Sequence, residues 1–331
     1  MSHPPEIQRV AVIGGGLIGS SWAAHFLGRG LDVTVCDPAP GAEERIRGFI
    51  DRAWPVVTQL GLAPGAGRER LQYTAELGEA VAGAQFVQEN GPEREDFKIA
   101  LFAELDDLVP ADVIIASSTS GMSMSTLQSR CRHPERCVIG HPFNPPHLIP
   151  LVEVVGGRAT SAQTVERARA FYTRMGKKAI VLHREVPGHV ANRLQAALWR
   201  EVVHLVDQGV ISVADADDAV SFGPGLRWGL MGPNLIFHLG GGPGGMEHFL
   251  AHLSGPFSRW WDTLGAPVLT PELKERLVAG VKAEAAGRSI TDLERQRDQL
   301  LLGLLALRRE TPAAAVQSPA AGGTKGSSET T

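Results

Sequence analysis

The sequence predicts an α/β protein with a doubly wound, mostly parallel sheet followed by a smaller all-helical domain. Over the first half of the chain, short apolar runs alternate with helical segments, which is the pattern of parallel strands covered on both faces. From Pro187 onward the apolar runs stop and the composition shifts to Ala, Leu and Arg. We therefore expect a first domain over residues 1–186, a helical domain over residues 187–310 and a disordered tail over residues 311–331.

The predicted strands and helices follow one another in chain order. Pro55 is expected to kink or end the second predicted helix, because proline lacks the N–H that an interior helical position donates. The strands are predicted at residues 9–13, 31–36, 85–88, 113–116, 137–139, 151–155 and 179–182. The helices are predicted at residues 19–27, 43–59, 164–175, 188–207, 213–221, 235–253, 271–286 and 290–309.

The composition restricts the possible functions. A chain of 331 residues has room for two domains, and its 43% hydrophobic and 21% charged residues are typical of a soluble globular enzyme. The formal net charge of -4 gives no positive field for a phosphate backbone, so we expect no nucleic-acid partner. No apolar stretch reaches the length of a membrane-spanning helix, so we expect no membrane partner. A small-molecule partner fits these observations best.

The cysteines indicate a reducing compartment. The three cysteines, Cys36, Cys131 and Cys137, do not have the number or spacing of a disulfide framework. Cys131 and Cys137 also lack the second ligand pair that a structural zinc site needs. We therefore expect reduced structural thiols, a cytoplasmic protein and no bound metal.

A glycine-rich turn near the N-terminus predicts a nucleotide site. Gly14, Gly16 and Gly19 stand in GxGxxG register between an apolar strand and a helix, and Leu17 and Ile18 open that helix. At this spacing the first glycine permits a tight turn, the second admits a pyrophosphate to the backbone and the third lets helix pack on strand. The N–H groups at the helix start would then face the anionic pyrophosphate. The turn predicts a Rossmann-type domain that binds a dinucleotide.

Asp37 selects the dinucleotide. The second predicted strand, LDVTVCD, ends in Asp37, eighteen residues after Gly19. A carboxylate at this place accepts hydrogen bonds from the ribose hydroxyls and repels a 2′-phosphate. The alternative is an aspartate that only caps the turn before Pro38. We predict NAD as the cofactor.

Two segments carry candidate catalytic groups. The hydroxyl-rich turn ASSTSG, residues 116–121, follows a strand at the sheet edge where such folds bind ligands, although a turn that caps the next helix would look the same. His141 follows another strand in a proline-rich loop, and Glu153 lies in the next strand. An imidazole can take a hydroxyl proton, and a carboxylate at its other nitrogen would orient it. Otherwise His141 caps a loop and Glu153 faces water.

These motifs together resemble the 3-hydroxyacyl-CoA dehydrogenase superfamily over the chain to about Arg309. The SNTS turn, HxFNP loop, VEV strand and PGF-x-x-NR helix start of that family correspond here to SSTS, HPFNP, VEV and PGHVANR. Ser118 replaces the usual Asn and is expected to alter hydrogen bonding to the substrate. His189 replaces the usual aromatic residue, and the sequence offers no interpretation of that change.

The resemblance implies roles for individual residues. His141 resembles the catalytic base and Glu153 its orienting carboxylate, while Ser120 and Asn192 resemble the groups that bind the reacting oxygen. Glu93 and Lys98 match positions near the nicotinamide end of the cofactor. The family also implies a helical dimerisation domain, so we expect a homodimer.

Within the superfamily, the sequence is most similar to members that act on free hydroxy acids. L-carnitine is the first expected substrate, oxidised at its 3-hydroxyl, and L-gulonate or a short 3-hydroxyacyl-CoA are the alternatives. Arginine suits a carboxylate and aromatic faces suit a trimethylammonium group, although each such residue could instead belong to a core, an ion pair or an interface. The expected substrate contacts besides Ser120 are Phe143, Asn144, Trp199, Arg227 and Trp228.

Overall fold

A computed structural model describes residues 6–310 of the chain, so the tail predicted at 311–331 lies outside the described residues. Eight strands form one sheet. They are β1 (Arg9–Ile13), β2 (Asp32–Cys36), β3 (Leu71–Thr74), β4 (Phe86–Glu89), β5 (Ile114–Ser117), β6 (Cys137–Pro142), β7 (Leu151–Gly156) and β8 (Lys178–Leu182). Their order is β3-β2-β1-β4-β5-β6-β7-β8, and every neighbouring pair is parallel except β6 and β7. The predicted mostly parallel, doubly wound sheet is confirmed.

Helices connect the strands and make up most of the chain after β8. They are α1 (Leu17–Gly28), α2 (Ala42–Gln59), α3 (Leu77–Val81), α4 (Glu95–Leu108), α5 (Met124–Leu127), α6 (Ala162–Arg174), α7 (Ala191–Asp207), α8 (Val213–Ser221), α9 (Pro224–Trp228), α10 (Pro233–Gly240), α11 (Gly245–Trp261), α12 (Pro271–Ala285) and α13 (Ile290–Glu310). Among the described residues, one compact unit comprises 6–218 with 255–289, and a second comprises 219–254 with 290–310. The domain boundary at 186 stays a prediction.

The apolar strands are buried because both faces of the sheet are covered. Alternate residues of β1 point to opposite faces, with Val10 and Val12 in one apolar cluster and Ala11 and Ile13 in the other. The first cluster takes side chains from α1, α2 and α6, and the second from α3, α4 and α5. Because helices cover both faces of the sheet, most of the strand sequences are apolar and do not alternate between apolar and polar residues.

The structure corrects several predicted elements. The edge strand β3 was not predicted, and α2 continues past Pro55 to Gln59. The helix predicted at 235–253 is two helices, α10 and α11, separated at glycines that include Gly242 and Gly245, both with positive φ. Glycine adopts this conformation without steric cost, so it interrupts the helical path here.

Two corrections bear on the site. His141 does not lie in a loop, because β6 continues through it to Pro142. The helix predicted from 188 begins at Ala191, since Gly188 and His189 have φ of 75° and 50°. These left-handed residues form a turn ahead of the first helical N–H groups.

No helix in the described part of the chain is both long and apolar enough to span a lipid bilayer. Within residues 6–310, no group of three or more His, Cys, Asp and Glu side chains is arranged to hold a metal ion.

Candidate active site

His141 and Glu153 lie directly opposite one another on the antiparallel strands β6 and β7. Directly opposed residues point to the same face, so the pairing register alone brings the two side chains together. Nδ1 of His141 is 2.9 Å from Oε2 of Glu153, and the residues are 4% and 0% exposed. The sequence predicts this contact, and the structure confirms it.

The second carboxylate oxygen of Glu153 is held by the start of α7. Its Oε1 accepts hydrogen bonds from the backbone N–H groups of Val190 at 2.9 Å and Ala191 at 3.0 Å. Burial alone would raise the pKa of Glu153, but the hydrogen bonds from His141 and from these two N–H groups outweigh it and lower that pKa. Glu153 is therefore a fixed anion behind the imidazole.

An ionised Glu153 determines the tautomer of His141. A carboxylate only accepts hydrogen bonds, so Nδ1 of His141 carries the proton and Nε2 has the lone pair. Among residues 6–310, no group hydrogen-bonds to that Nε2. The ring of Phe143 lies 5.3 Å from the His141 ring in an edge-to-face arrangement, and the ring of His189 lies 5.1 Å away. The result is a buried base, flanked by two rings, with one nitrogen available.

His189 joins the base to the hydroxyl-rich turn. It is 3% exposed, and its Nε2 lies 3.0 Å from the backbone oxygen of Thr119, so Nε2 carries the proton. Its Nδ1 is buried without a hydrogen-bond partner among the described residues. Burial first, and then the proximity of His141, lowers the pKa of His189. His189 is therefore a neutral imidazole that packs on the base, which the sequence did not reveal.

Ser120 and Asn192 lie at the same turn. The side-chain amide of Asn192, in the first turn of α7, is 3.5 Å from the backbone oxygen of Ser120, which is the residue after Thr119. Ser120 is exposed, so its hydroxyl is open to a ligand. Because His189 contacts both Thr119 and His141, the structure brings this turn next to the base. Their contact with the reacting oxygen stays a prediction.

A buried ion pair lies behind the turn. Lys98 donates to Oε1 of Glu89 at 2.6 Å, and both side chains are almost completely buried. Glu89 also accepts from the hydroxyl of Ser117 at 2.6 Å. Glu93 accepts from the backbone N–H of Ser120 at 2.9 Å, and its other oxygen is 3.6 Å from the Lys98 ammonium. The predicted residues Glu93 and Lys98 thus support the turn, and Glu89 is a member that sequence reasoning missed.

The glycine turn has the shape that a dinucleotide requires. A Cβ added at Gly14, whose φ is 91°, would lie 2.7 Å from the backbone oxygen of Asn90, and one at Gly19 would lie 1.8 Å from that of Gly14. By contrast, a Cβ at Gly16 would meet nothing within 4 Å. Gly16 is the N-cap of α1 and provides no side-chain acceptor, so the first backbone N–H groups of the helix remain available to an anion. This arrangement fits a pyrophosphate.

Asp37 lies at the end of β2 beside the same turn. Its carboxylate accepts from the backbone N–H groups of Gly15 at 2.8 Å and Ala39 at 2.9 Å. A carboxylate has about four acceptor positions, so both oxygens retain capacity for ribose hydroxyls. Ile18, the remaining predicted cofactor residue, is half-buried in the first turn of α1. The residues present therefore fit NAD.

The hydroxyl of Ser118 has three hydrogen-bond partners within the protein. Its hydroxyl donates to Asn90 Oδ1 at 2.7 Å and accepts from Gln88 Nε2 at 2.9 Å and Trp22 Nε1 at 3.1 Å. These partners belong to β4, α1 and the residue after β4, so the hydroxyl is engaged within the protein. Ser118 thus forms hydrogen bonds within the protein, and its expected effect on hydrogen bonding to the substrate stays a prediction.

For the remaining predicted substrate residues, the structure gives a position and an exposure. Asn144 is exposed immediately after Phe143. Trp199 is 51% exposed on α7, seven residues after Asn192 and so on the same helical face. In the second unit, Arg227 is exposed on α9, and Trp228 is half-buried with no hydrogen-bond partner for its Nε1 among the described residues. Their roles stay predictions.

The residues that sequence reasoning missed share one property. Glu89, Thr119, Val190 and Ala191 act through backbone groups or through a buried partner distant in the sequence. Glu89 alone had a signal, because it is a charge at the end of a fully buried strand, where a partner is required.

Comparison with known proteins agrees with this geometry. A family model described as 3-hydroxyacyl-CoA dehydrogenase, NAD binding domain, matches residues 9–186. A second, described as 3-hydroxyacyl-CoA dehydrogenase, C-terminal domain, matches residues 188–281. Together they cover most of the chain.

Individual relatives match over nearly their whole length. An L-carnitine dehydrogenase of Streptomyces griseus is 51% identical over 95% of this chain and 94% of its own. An L-carnitine dehydrogenase of Streptomyces coelicolor is 51% identical over 92% of this chain and 96% of its own. The crystal structure of a 5-formyl-3-hydroxy-2-methylpyridine 4-carboxylic acid 5-dehydrogenase, an NAD+ dependent dismutase, superposes with a TM-score of 0.79 at 33% identity, covering 92% of this chain and 99% of its own. The chain belongs to the 3-hydroxyacyl-CoA dehydrogenase family.

Proposed function

We propose that this protein is an NAD-dependent dehydrogenase that oxidises the 3-hydroxyl of L-carnitine to 3-dehydrocarnitine. The observation that carries the proposal is the buried pair of His141 and Glu153, in which Nε2 of His141 has no hydrogen-bond partner among residues 6–310. The glycine turn follows β1 of the same sheet. The two relatives named above, both L-carnitine dehydrogenases, support the choice of substrate.

The chain's own residues handle the proton. Nε2 of His141 takes the proton of the C3 hydroxyl while the C3–H bond breaks. NAD, when bound, accepts the hydride that leaves C3. Glu153 stabilises the imidazolium through Nδ1, and Ser120 and Asn192 hold the oxygen as it becomes a carbonyl. Gly14, Gly16, Gly19 and Asp37 bind the cofactor.

The trimethylammonium group of carnitine is expected to lie near His141. In carnitine the ammonium nitrogen is two bonds from C3, so a ring that flanks the base is close enough to contact the trimethyl group. Phe143, edge-on to His141, is therefore our first choice for the aromatic face, which contributes about 0.5–2 kcal/mol depending on desolvation. Arg227 for the carboxylate, and Trp199 and Trp228 for the ammonium, remain assignments from the sequence.

A substrate panel tests the proposal. Formation of NADH is followed with L-carnitine, D-carnitine, L-gulonate and 3-hydroxybutyryl-CoA, and we expect the highest kcat/KM for L-carnitine. His141→Ala should lower kcat by roughly 10²–10⁴-fold, the usual contribution of a positioned general base. A higher kcat/KM for gulonate or the CoA ester would overturn the substrate assignment, and an unchanged kcat in His141→Ala would remove His141 from the mechanism.

We also propose that the protein works as a homodimer. One exposed face of α7 carries Leu194 and Leu198, which lie one turn apart and are 64% and 37% exposed. Apolar side chains gathered on one helix face are typical of a protein interface. Light scattering coupled to gel filtration should give twice the 35.3 kDa chain mass, and a monomer at all concentrations would contradict this.

A further inference from the structure

Cys131 and Cys137 lie together under the start of the strand that carries His141. Their sulfur atoms are 3.9 Å apart, and the Cys137 thiol donates to Cys131 Sγ. Cys131 is half-buried in the loop after a short 3₁₀ turn, whereas Cys137 is fully buried as the first residue of β6. The third cysteine, Cys36, lies at the end of β2, in another part of the sheet.

We propose that Cys131 and Cys137 are a reversible disulfide site that closes when the protein meets a peroxide. In the first step the Cys131 thiolate attacks a peroxide oxygen, so an S–O bond forms, the O–O bond breaks and hydroxide leaves. In the second step the Cys137 sulfur attacks the sulfenic sulfur of Cys131, so the S–S bond forms and the oxygen leaves as water. Two thiols are oxidised by two electrons in total, and one hydrogen peroxide is reduced to two waters.

The surroundings assign the two roles. The hydrogen bond from Cys137 lowers the pKa of Cys131 and outweighs the opposing effects of burial and of the Asp106 charge. Cys137 has its pKa raised by the same hydrogen bond and by burial. A peroxide-sensitive cysteine is partly exposed, favours the thiolate and lies beside a resolving thiol. Cys131 meets the first two conditions and Cys137 supplies the third.

The disulfide requires the two sulfur atoms to approach each other. A disulfide needs its sulfurs about 2.05 Å apart, so one thiol must approach the other. Cys137 is fixed by the pairing of β6 with β5, and its neighbour Arg136 is anchored by a buried ion pair with Asp106 at 2.6 Å. The backbone after Cys131 is also held, because the N–H groups of Arg132 and His133 donate to Asp106, but the Cys131 side chain is half-buried outside the sheet, so rotation of this side chain closes the distance. The bond would tie the loop that holds Cys131 to β6 four residues before His141.

The full-length protein tests the proposal. It is treated with hydrogen peroxide at equal concentration, and thiols are counted with Ellman's reagent in denaturant beside the intact mass. We expect the thiol count to fall from three to one, the mass to fall by two hydrogen atoms and dithiothreitol to reverse both changes. Cys36→Ser is the matched control and should lose the same two thiols, because burial raises the pKa of Cys36 to about 11 and keeps it unreactive.

The single variants separate the two roles. In Cys137→Ser, Cys131 should stop as a sulfenic acid that dimedone traps, whereas Cys131→Ser should trap none. A wild-type protein that keeps three thiols, or that gains oxygen without losing two hydrogens, would overturn the proposal. Failure of Cys36→Ser to form the disulfide would also overturn the proposal. None of these readouts involves turnover, so the result is independent of the proposed function.

Discussion

Replacing Glu153 by glutamine tests how the base is stabilised. Glutamine has almost the same shape but no charge. The N–H groups of Val190 and Ala191 both need an acceptor at the position of Oε1, so the amide oxygen of the variant belongs there. Its NH₂ then faces Nδ1 of His141, 2.9 Å away in the native pair. The imidazole must accept at Nδ1 and carry its proton at Nε2, which is the wrong tautomer for a base.

The magnitude follows from the charge that forms. When His141 takes the proton, opposite charges about 4 Å apart attract by about 4 kcal/mol at an effective dielectric constant of about 20. Losing this term in the transition state lowers the rate by roughly 10³-fold, since each 1.36 kcal/mol is tenfold. The tautomer error adds to it, so we expect kcat of Glu153→Gln to fall by roughly 10³–10⁴-fold. The KM for NAD should stay near the wild-type value.

The assay compares initial rates of NADH formation from L-carnitine in wild type, Glu153→Gln and a matched control, Glu185→Gln. Glu185 also accepts a backbone N–H, from Ser125 at 2.8 Å, but it does not touch His141. Circular dichroism checks that all three proteins are folded. If folded Glu153→Gln keeps more than about a tenth of the wild-type kcat, the carboxylate supplies less than about 1.4 kcal/mol and the reasoning is wrong.

Two further predictions concern buried basic groups. His189→Phe should stay active. Burial, and then the proximity of His141, lowers the pKa of His189 below its ordinary value of 6.5, so the free energy of unfolding of wild type relative to His189→Phe should rise with pH up to about 6.5; equal pH dependence in the two proteins would contradict this. Lys177 is fully buried, contacts the backbone oxygens of Pro146 and Ile149, and has its pKa lowered by burial and then by Arg29 to about 7, from 10.5 in the unfolded chain. The unfolded state thus binds more protons between these values, so the free energy of unfolding of wild type relative to Lys177→Met should rise by up to about 2.7 kcal/mol from about pH 7 to about pH 9. Denaturant titrations measure it, with exposed Lys178→Met as the control, and equal pH dependence in wild type and Lys177→Met would refute it.

Much of the fold could be predicted because it depends on local pattern. The runs that form β1 and β2 are mostly apolar and are followed directly by Gly14 and Asp37, so strand ends and ligand groups coincide in the sequence. The strand β3 was missed because Leu71 is its only buried residue and the other three are partly or fully exposed. A short edge strand with one apolar side chain has no distinctive pattern.

In the candidate site, too, only some of the contacts could be predicted from the sequence. His141 and Glu153 could be paired from the sequence because a carboxylate inside an apolar strand needs a partner. The backbone donors to Glu153 could not, since they depend on the left-handed turn at Gly188 and His189, which brings residues 37 positions apart together. The part played by Ser118 was equally hidden, because its partners lie on other strands and helices.

The fate of the hydrogen on C3 shows whether it leaves as a hydride to NAD while His141 takes the hydroxyl proton. The enzyme is given NAD and L-carnitine that carries deuterium at C3, and the reduced cofactor is analysed by mass spectrometry. If His141 removes only the hydroxyl proton, the reduced nicotinamide contains one deuterium for each 3-dehydrocarnitine formed. Reduced cofactor without deuterium, or deuterium released to water, would rule out transfer of the C3 hydride to NAD.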